Sequence, residues 1–442
     1  MTGGQARPHV VVVGGGLAGL TSALACADAG ARVTLCESRP RLGGATWSFW
    51  RNGRWFDNGQ HVFLRCCTAY RGFLDRIGST GGVHLQDRLS VPVVTPGGRT
   101  ARIERNGLPS PLHLAPSLAR YRHLGLADRA RLGRAALALG RMNLADPALD
   151  RTTFGDWLAA HGQSPAAVAG VWDLITRPTV NLPASEASLA MAAKVFQTGL
   201  LAETSAGDIG WARVPLGRLH GEAGAAALAR AGATVRLRSK VAALEVTGPA
   251  GATGATGAVG SVGSVGATGA GLAVVVDGQR LPADAVVLAV PHDVASQLLP
   301  PGSAAGQDRF PELGTSPIVD VHVVYDRRVT DLPFAAGLGT PAQWVFDRTE
   351  AAGGEGQALA VSLSAAGEWL GRRPEELIEH FTAALAELFP KARSARVLDA
   401  VVTRERAATF AARPGQAALR PGPRTAVRGL ALAGAWTDTG WP

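Results

Sequence analysis

His9-Val10-Val11-Val12-Val13-Gly14-Gly15-Gly16-Leu17-Ala18-Gly19-Leu20 is followed, after an alanine-rich stretch, by Ala31-Arg32-Val33-Thr34-Leu35-Cys36-Glu37. Four valines in a row suit a strand buried on both faces. Gly14, Gly16 and Gly19 fit G-x-G-x-x-G, a pattern that makes a tight turn, lets a pyrophosphate reach the backbone and lets helix pack closely on strand. Residues 17–29 read as the helix whose N-terminus faces the phosphates, with Gly30 as its stop. Residues 31–36 read as the second strand. Glu37 stands 21 positions after Gly16, close to the roughly 20 at which an acid accepts from a ribose hydroxyl. The 18 uncharged residues 10–27 also have the length of a membrane span or leader. Three adjacent glycines in their middle argue against a continuous helix.

With 442 residues, the chain is long enough for two lobes. Hydrophobic residues make up 46% of it, enough for a large interior. The net charge is +9, and Lys194, Lys240 and Lys391 are the only lysines. The arginines are scattered and no nucleic-acid motif accompanies them, which disfavours nucleic acid as a partner. Cys26, Cys36, Cys66 and Cys67 show neither metal-ligand spacing nor a disulfide framework. No metal is expected, and a reducing cytoplasm is.

Past Glu37 the sequence runs Ser38-Arg39-Pro40-Arg41-Leu42-Gly43-Gly44-Ala45-Thr46-Trp47. Acid, spacer and paired glycines after a Rossmann unit resemble the second flavin motif of the amine oxidase and phytoene desaturase superfamily. Farther on, Asp57-Asn58-Gly59-Gln60-His61 resembles one family within it, the squalene-associated hydroxysqualene dehydroxylases. The resemblance implies an α/β fold with a Rossmann-type FAD-binding lobe and an interleaved α+β substrate lobe. It places the FAD lobe at 1–75, 212–300 and 398–442 and the substrate lobe at 76–211 and 301–397. It implies cofactor contacts at Gly14, Gly16, Leu17, Ala18, Gly19, Glu37, Ser38, Arg41, Gly43, Gly44, Ala45, Thr46, Gly59, Gln60, Val241 and Gly434. His61, whose unperturbed pKa is near 6.5, and Asp57 are the candidate catalytic acids.

The implied reaction is reductive dehydroxylation of hydroxysqualene to squalene in hopanoid synthesis. The alternatives are an oxidative carotenoid or squalene desaturase and a non-catalytic flavin-fold partner among isoprenoid enzymes. An amine substrate is disfavoured, since no aromatic pair for an amine cage stands out. A lipophilic isoprenoid would be reached from the inner face of the membrane.

The remaining chain adds smaller expectations. Residues 110–146 read as two helices broken near Gly125, either a basic lipid-docking surface or an ordinary solvated face. Arg177-Pro178-Thr179-Val180-Asn181 reads as irregular, with Asn181 as pocket residue or turn former. Residues 248–271 are low in complexity, with glycine at every third position from 251 to 269; they read as a hairpin insertion. Residues 318–325 read as a strand with Asp320 and His322 on its polar face. Trp344 and Phe346 share one face of another strand, lining an apolar tunnel or filling the core. Near the end, Ala435 takes the place where many superfamily members carry an acid, with Asp438 as substitute. A helix is expected to begin where the sequence stops, at Pro442.

Overall fold

The computed structural model describes residues 7–247 and 271–440. The 248–271 insertion, apart from Gly271, and the final Trp441-Pro442 lie outside them. The chain divides into two compact units.

The smaller unit draws on the described parts of Met1–Gly44, His220–Glu312 and Arg420–Gly440. Its centre is a five-stranded parallel sheet, ordered Thr234–Arg236, Arg32–Cys36, His9–Val13, Ala285–Leu288 and Leu430–Leu432. The valine strand is buried along its whole length, as expected of a middle strand in a parallel sheet. Helix Leu17–Asp28 follows directly. A Cβ on Gly19 would lie 1.8 Å from the Gly14 carbonyl oxygen, and Gly14 itself has φ +103°. Glycine is therefore required at both positions. A three-stranded antiparallel sheet of Val241–Thr247, Gly271–Val276 and Gln279–Ala283 completes the unit.

The larger unit includes Ala45–Leu219 and Leu313–Leu419. Its seven-stranded sheet runs Val397–Phe410, Thr315–Tyr325, Gln357–Ser364, Trp344–Asp347, Phe334–Gly337, Ser90–Thr95 and Arg99–Glu104. All neighbours are antiparallel except Phe334–Gly337 with Ser90–Thr95. Helix Pro374–Leu388 presents Leu377, Phe381 and Leu385 to the core that Val319, Val321 and Val323 also enter.

Residues 45–75, 212–219 and 398–419 lie in this larger unit, not with the glycine turn. Strand pairing explains the placement: Val62–Leu64 pairs with Ile209–Ala212, and Val397–Phe410 runs along Thr315–Tyr325. Residues 301–312 go the other way; the Ser303 carbonyl accepts from the Ala426 amide and Phe310 packs on Trp436. The stretch around Pro178 is helical rather than irregular. Helix Asp173–Val180 carries Pro178 inside it and ends at Asn181, whose φ is +54°.

Gly19→Ala is expected to abolish flavin retention on gel filtration, because the added methyl has no room. Gly72→Ala serves as control: nothing stands within 4 Å of its Cβ and it lies inside helix Thr68–Ile77. It should retain flavin and gain about 0.5–1 kcal/mol in urea unfolding.

Candidate functional site

In the smaller unit, Gly16 caps helix Leu17–Asp28 without a side-chain hydrogen bond. The first-turn amides, those of Leu17, Ala18 and Gly19, thus find no acceptor within the helix, and an anion suits them. Gly44 closes the cradle: its Cβ would lie 2.8 Å from the Gly16 Cα. The Gly43 amide donates to the Gly15 carbonyl over 2.9 Å, and Arg41 donates to the Gly44 carbonyl over 3.0 Å.

Glu37 is buried. One of its oxygens accepts the Gly15 amide at 2.6 Å; the other accepts the Arg39 amide at 2.7 Å and the Ser38 hydroxyl at 3.2 Å. A carboxylate has about four acceptor positions, so one is left for a ribose hydroxyl. The Ser239 amide donates to the Glu37 carbonyl, which holds Val241, two residues on, near the same turn. Gly434 has φ +152°, and its Cβ would lie 2.8 Å from the Trp436 indole nitrogen. Asp438 is exposed.

In the larger unit, strand Arg54–Asp57 delivers Asp57 into a buried polar cluster. One Asp57 oxygen accepts Arg348 Nη2 at 2.8 Å. The other accepts the Ser48 hydroxyl at 2.5 Å and the Leu216 amide at 2.9 Å. With both oxygens engaged by these donors, Asp57 suits an anchoring role. Asn58 is held on every side: it accepts the Trp47 amide and donates to the Ala45 carbonyl and to Glu405, at 2.9, 2.8 and 2.7 Å. These bonds fix the loop carrying Ala45, Thr46, Gly59, Gln60 and His61.

His61 is open on one side. Enough protein surrounds the ring that desolvation lowers its pKa below the usual imidazole value; Asp57 and Glu405 oppose this and Arg348 reinforces it. Asp320 and His322 share the polar face of strand Thr315–Tyr325, as the alternation predicts. Asp320 is fully buried, and neither of its oxygens has a hydrogen-bond partner. Burial pushes its pKa up to about 7, with Asp57 and Glu405 adding to the shift and the nearby Ser362 hydroxyl and Gln60 amide opposing it. Burial takes His322 down to about 4.

Beside this cluster lies an apolar cavity of about 270 Å³. Its lining includes Val62, the residue after His61, together with Phe63, Trp172, Phe196, Trp344 and Phe346. Trp344 and Phe346 stack at 6.0 Å and 15°, and they both face the cavity and pack on the core. Asn181 is not in that lining. Its side chain donates to the Ser316 carbonyl and the Thr409 hydroxyl and accepts the Ala365 amide, so it is a turn residue. Sequence reasoning missed Arg348, which caps helix Thr349–Ala352, and Glu405, from strand Val397–Phe410.

The sequence profile described as flavin containing amine oxidoreductase matches residues 17–442. The chain belongs to that family. It is a flavin-dependent oxidoreductase, and the glycine cradle suits the diphosphate of such a cofactor. A hydroxysqualene dehydroxylase of Rhodopseudomonas palustris is 30% identical, over 98% of this chain and 94% of that protein. A probable zeta-carotene desaturase of Synechococcus elongatus is 25% identical over 97% and 94%. A putrescine oxidase triple mutant from a redesign of cofactor binding shares the fold, with a TM-score of 0.70 at 20% identity over 96% and 92% of the two chains. Among the described residues, no helix of this oxidoreductase is long and apolar enough to cross a membrane.

Arg348→Met would leave Asp57 buried without its cation, and urea unfolding should show a loss of about 3–5 kcal/mol. Asp320 gives a pH dependence of opposite cause. The folded chain keeps a proton there that the unfolded chain has already released. Stability should therefore fall as pH rises from about 4 to about 7, by a few kcal/mol. Asp320→Asn should flatten that fall and be the more stable protein in mild alkali.

Proposed function

We propose that this protein is an FAD-dependent dehydroxylase that replaces the allylic hydroxyl of hydroxysqualene with hydrogen, giving squalene for hopanoid synthesis. The observation that carries the reading is a buried polar cluster whose loop runs from His61 into Val62, in the wall of an apolar cavity. The resemblance at Asp57 to His61 and the 30% identical dehydroxylase agree with it.

In this reading the amides after Gly16 hold the FAD diphosphate, Glu37 and Ser38 take the ribose, and Val241 meets the adenine. Arg41, Gly43 and Gly44 flank the diphosphate, and Gly434 serves the flavin end. Reduced FAD supplies the hydride that completes the replacement.

The chain's own residues do the rest. The aromatic and aliphatic wall holds the hydrocarbon and excludes water, which protects an allylic cation from capture. His61 gives a proton to the departing hydroxyl so that it leaves as water. Asp57 and Arg348 fix the loop that carries His61. The substrate is a membrane-soluble hydrocarbon, so the protein works from the cytoplasm at the inner membrane face, next to the enzymes that make and use squalene.

A second reading is oxidative desaturation of a carotenoid, favoured by the 25% identical desaturase. Anaerobic incubation with pre-reduced FAD separates the two. Hydroxysqualene should be converted to squalene; failure there, with desaturation of a polyene by the oxidised protein, would establish the second. His61→Ala should lower turnover by about 10²-fold or more while the visible flavin spectrum stays unchanged. An unaltered rate would remove His61 from the reaction.

A further inference from the structure

Strand Trp344–Asp347 connects two different surroundings within the larger unit. At one end Asp347 is followed by Arg348, which pairs with Asp57 in the buried polar cluster. Trp344 stands at the other end, roughly 10 Å away along the extended backbone. Phe346 and Trp344 share one face of the strand, and both line the apolar cavity. The cavity therefore runs along this strand, away from the cluster and toward Trp344.

A second space, of about 210 Å³, begins there. Leu174 and Trp344 line both spaces, so these two side chains form a wall between them. The chemistry changes across that wall. On the cavity side Phe346, Trp172 and Phe196 continue an apolar surface. On the far side Asp173, Arg177, Thr340 and Gln343 enter the lining, and Ala169 and Gly339 are exposed. The second space is a polar recess at the surface.

Both halves of the wall are held in place. The strand of Trp344 is paired on each edge, with Ala336 and Ser362 opposite that residue. Its ring packs at 6.0 Å on Phe334 and on Phe346. Leu174 is buried, and its helix Asp173–Val180 is tied at the first residue. There Asp173 accepts the Ala184 amide at 2.7 Å and Arg177 at 3.3 Å. Swinging the indole aside would break packing in a dense interior, so the wall is a fixed stop rather than a door.

We propose that Trp344, backed by Leu174, is the end-stop of the apolar cavity and sets the length of hydrocarbon arm that the cavity accepts. That the arm belongs to an allylic isoprenoid alcohol rests on the dehydroxylation reading above. In that reading the reacting carbon lies at the His61 end, beside Val62, and the tip of the arm meets the indole.

The test uses the flavin-loaded full chain and straight-chain primary alcohols of stepwise length, their binding read by displacement of a fluorescent apolar dye. Each methylene that finds apolar burial should tighten wild-type binding about fourfold, up to one chain length at which the gain stops. In Trp344→Ala and, separately, in Leu174→Ala the gain should continue through further methylenes. Trp344→Phe, which keeps a ring in the wall, should stop close to the wild-type length. The two alanine variants open the wall from different elements, so if one fails to fold the other decides. A wild-type series with no break, or the same break in wild type and in a folded alanine variant, would overturn the stop. Turnover is read separately: Trp344→Ala should raise kcat/KM for an allylic alcohol one isoprene unit longer, relative to hydroxysqualene, by about tenfold or more. An unchanged ratio in active enzymes would overturn the placing of the arm in this cavity. If the wild type makes no squalene, the dehydroxylation reading alone fails, and the alcohol series still decides whether Trp344 limits chain length.

Discussion

The smaller unit depends on backbone approaches that no side chain permits. Helix Leu17–Asp28 meets the end of its strand so closely that a methyl on Gly19 would overlap the Gly14 carbonyl. The same closeness recurs between Gly44 and Gly16. Each contact holds peptide amides in one shallow bowl, where the partial positive charge of a helix start is not cancelled by a side chain. Glu37 then does two things at once. It ties the Gly15 amide and keeps one acceptor position spare, so the buried acid shapes the turn.

The larger unit is governed by a different scarcity. Asp57 and Glu405 both lie near Asp320, and Asp57 pairs with Arg348. Desolvation and mutual repulsion then sort their states. Asp57 takes the cation and is fixed. Glu405 accepts from Asn58 and from the Trp47 indole. At Asp320 burial pushes the pKa up to about 7, with the Ser362 hydroxyl and the Gln60 amide opposing the shift. His322, buried beside them, stays neutral for the complementary reason, since desolvation disfavours its charge. Among the described residues, no group of histidines, cysteines and acids could hold a metal ion.

Local physics was legible in advance, and long-range pairing was not. The valine strand, glycine turn and following helix are written in consecutive residues, and their observed bounds differ by a residue or so from those read. The alternation of residues 318–325 put Asp320 and His322 on one face. Nothing local marks Arg348 as the partner of Asp57, 291 positions away, because the contact exists only in the folded chain. The same holds for residues 45–75, whose pairing strand Ile209–Ala212 comes far later. Pro178 misled because the helix continues through it: Asp173–Val180 carries the proline near its C-terminal end and follows directly on the π-type turn Val168–Trp172.

Those wide turns bear on the cavity as well. π-type turns rarely persist unless something gains from them, and they concentrate at functional sites. Val168–Trp172 and Gln197–Leu201 are both of this kind, and Val171, Trp172, Leu200 and Leu201 all stand in the cavity wall. Each turn inserts an extra residue into its helix and swings bulky side chains toward a common centre without breaking the surrounding core. The wall is therefore apolar on nearly every side, and its dielectric is low.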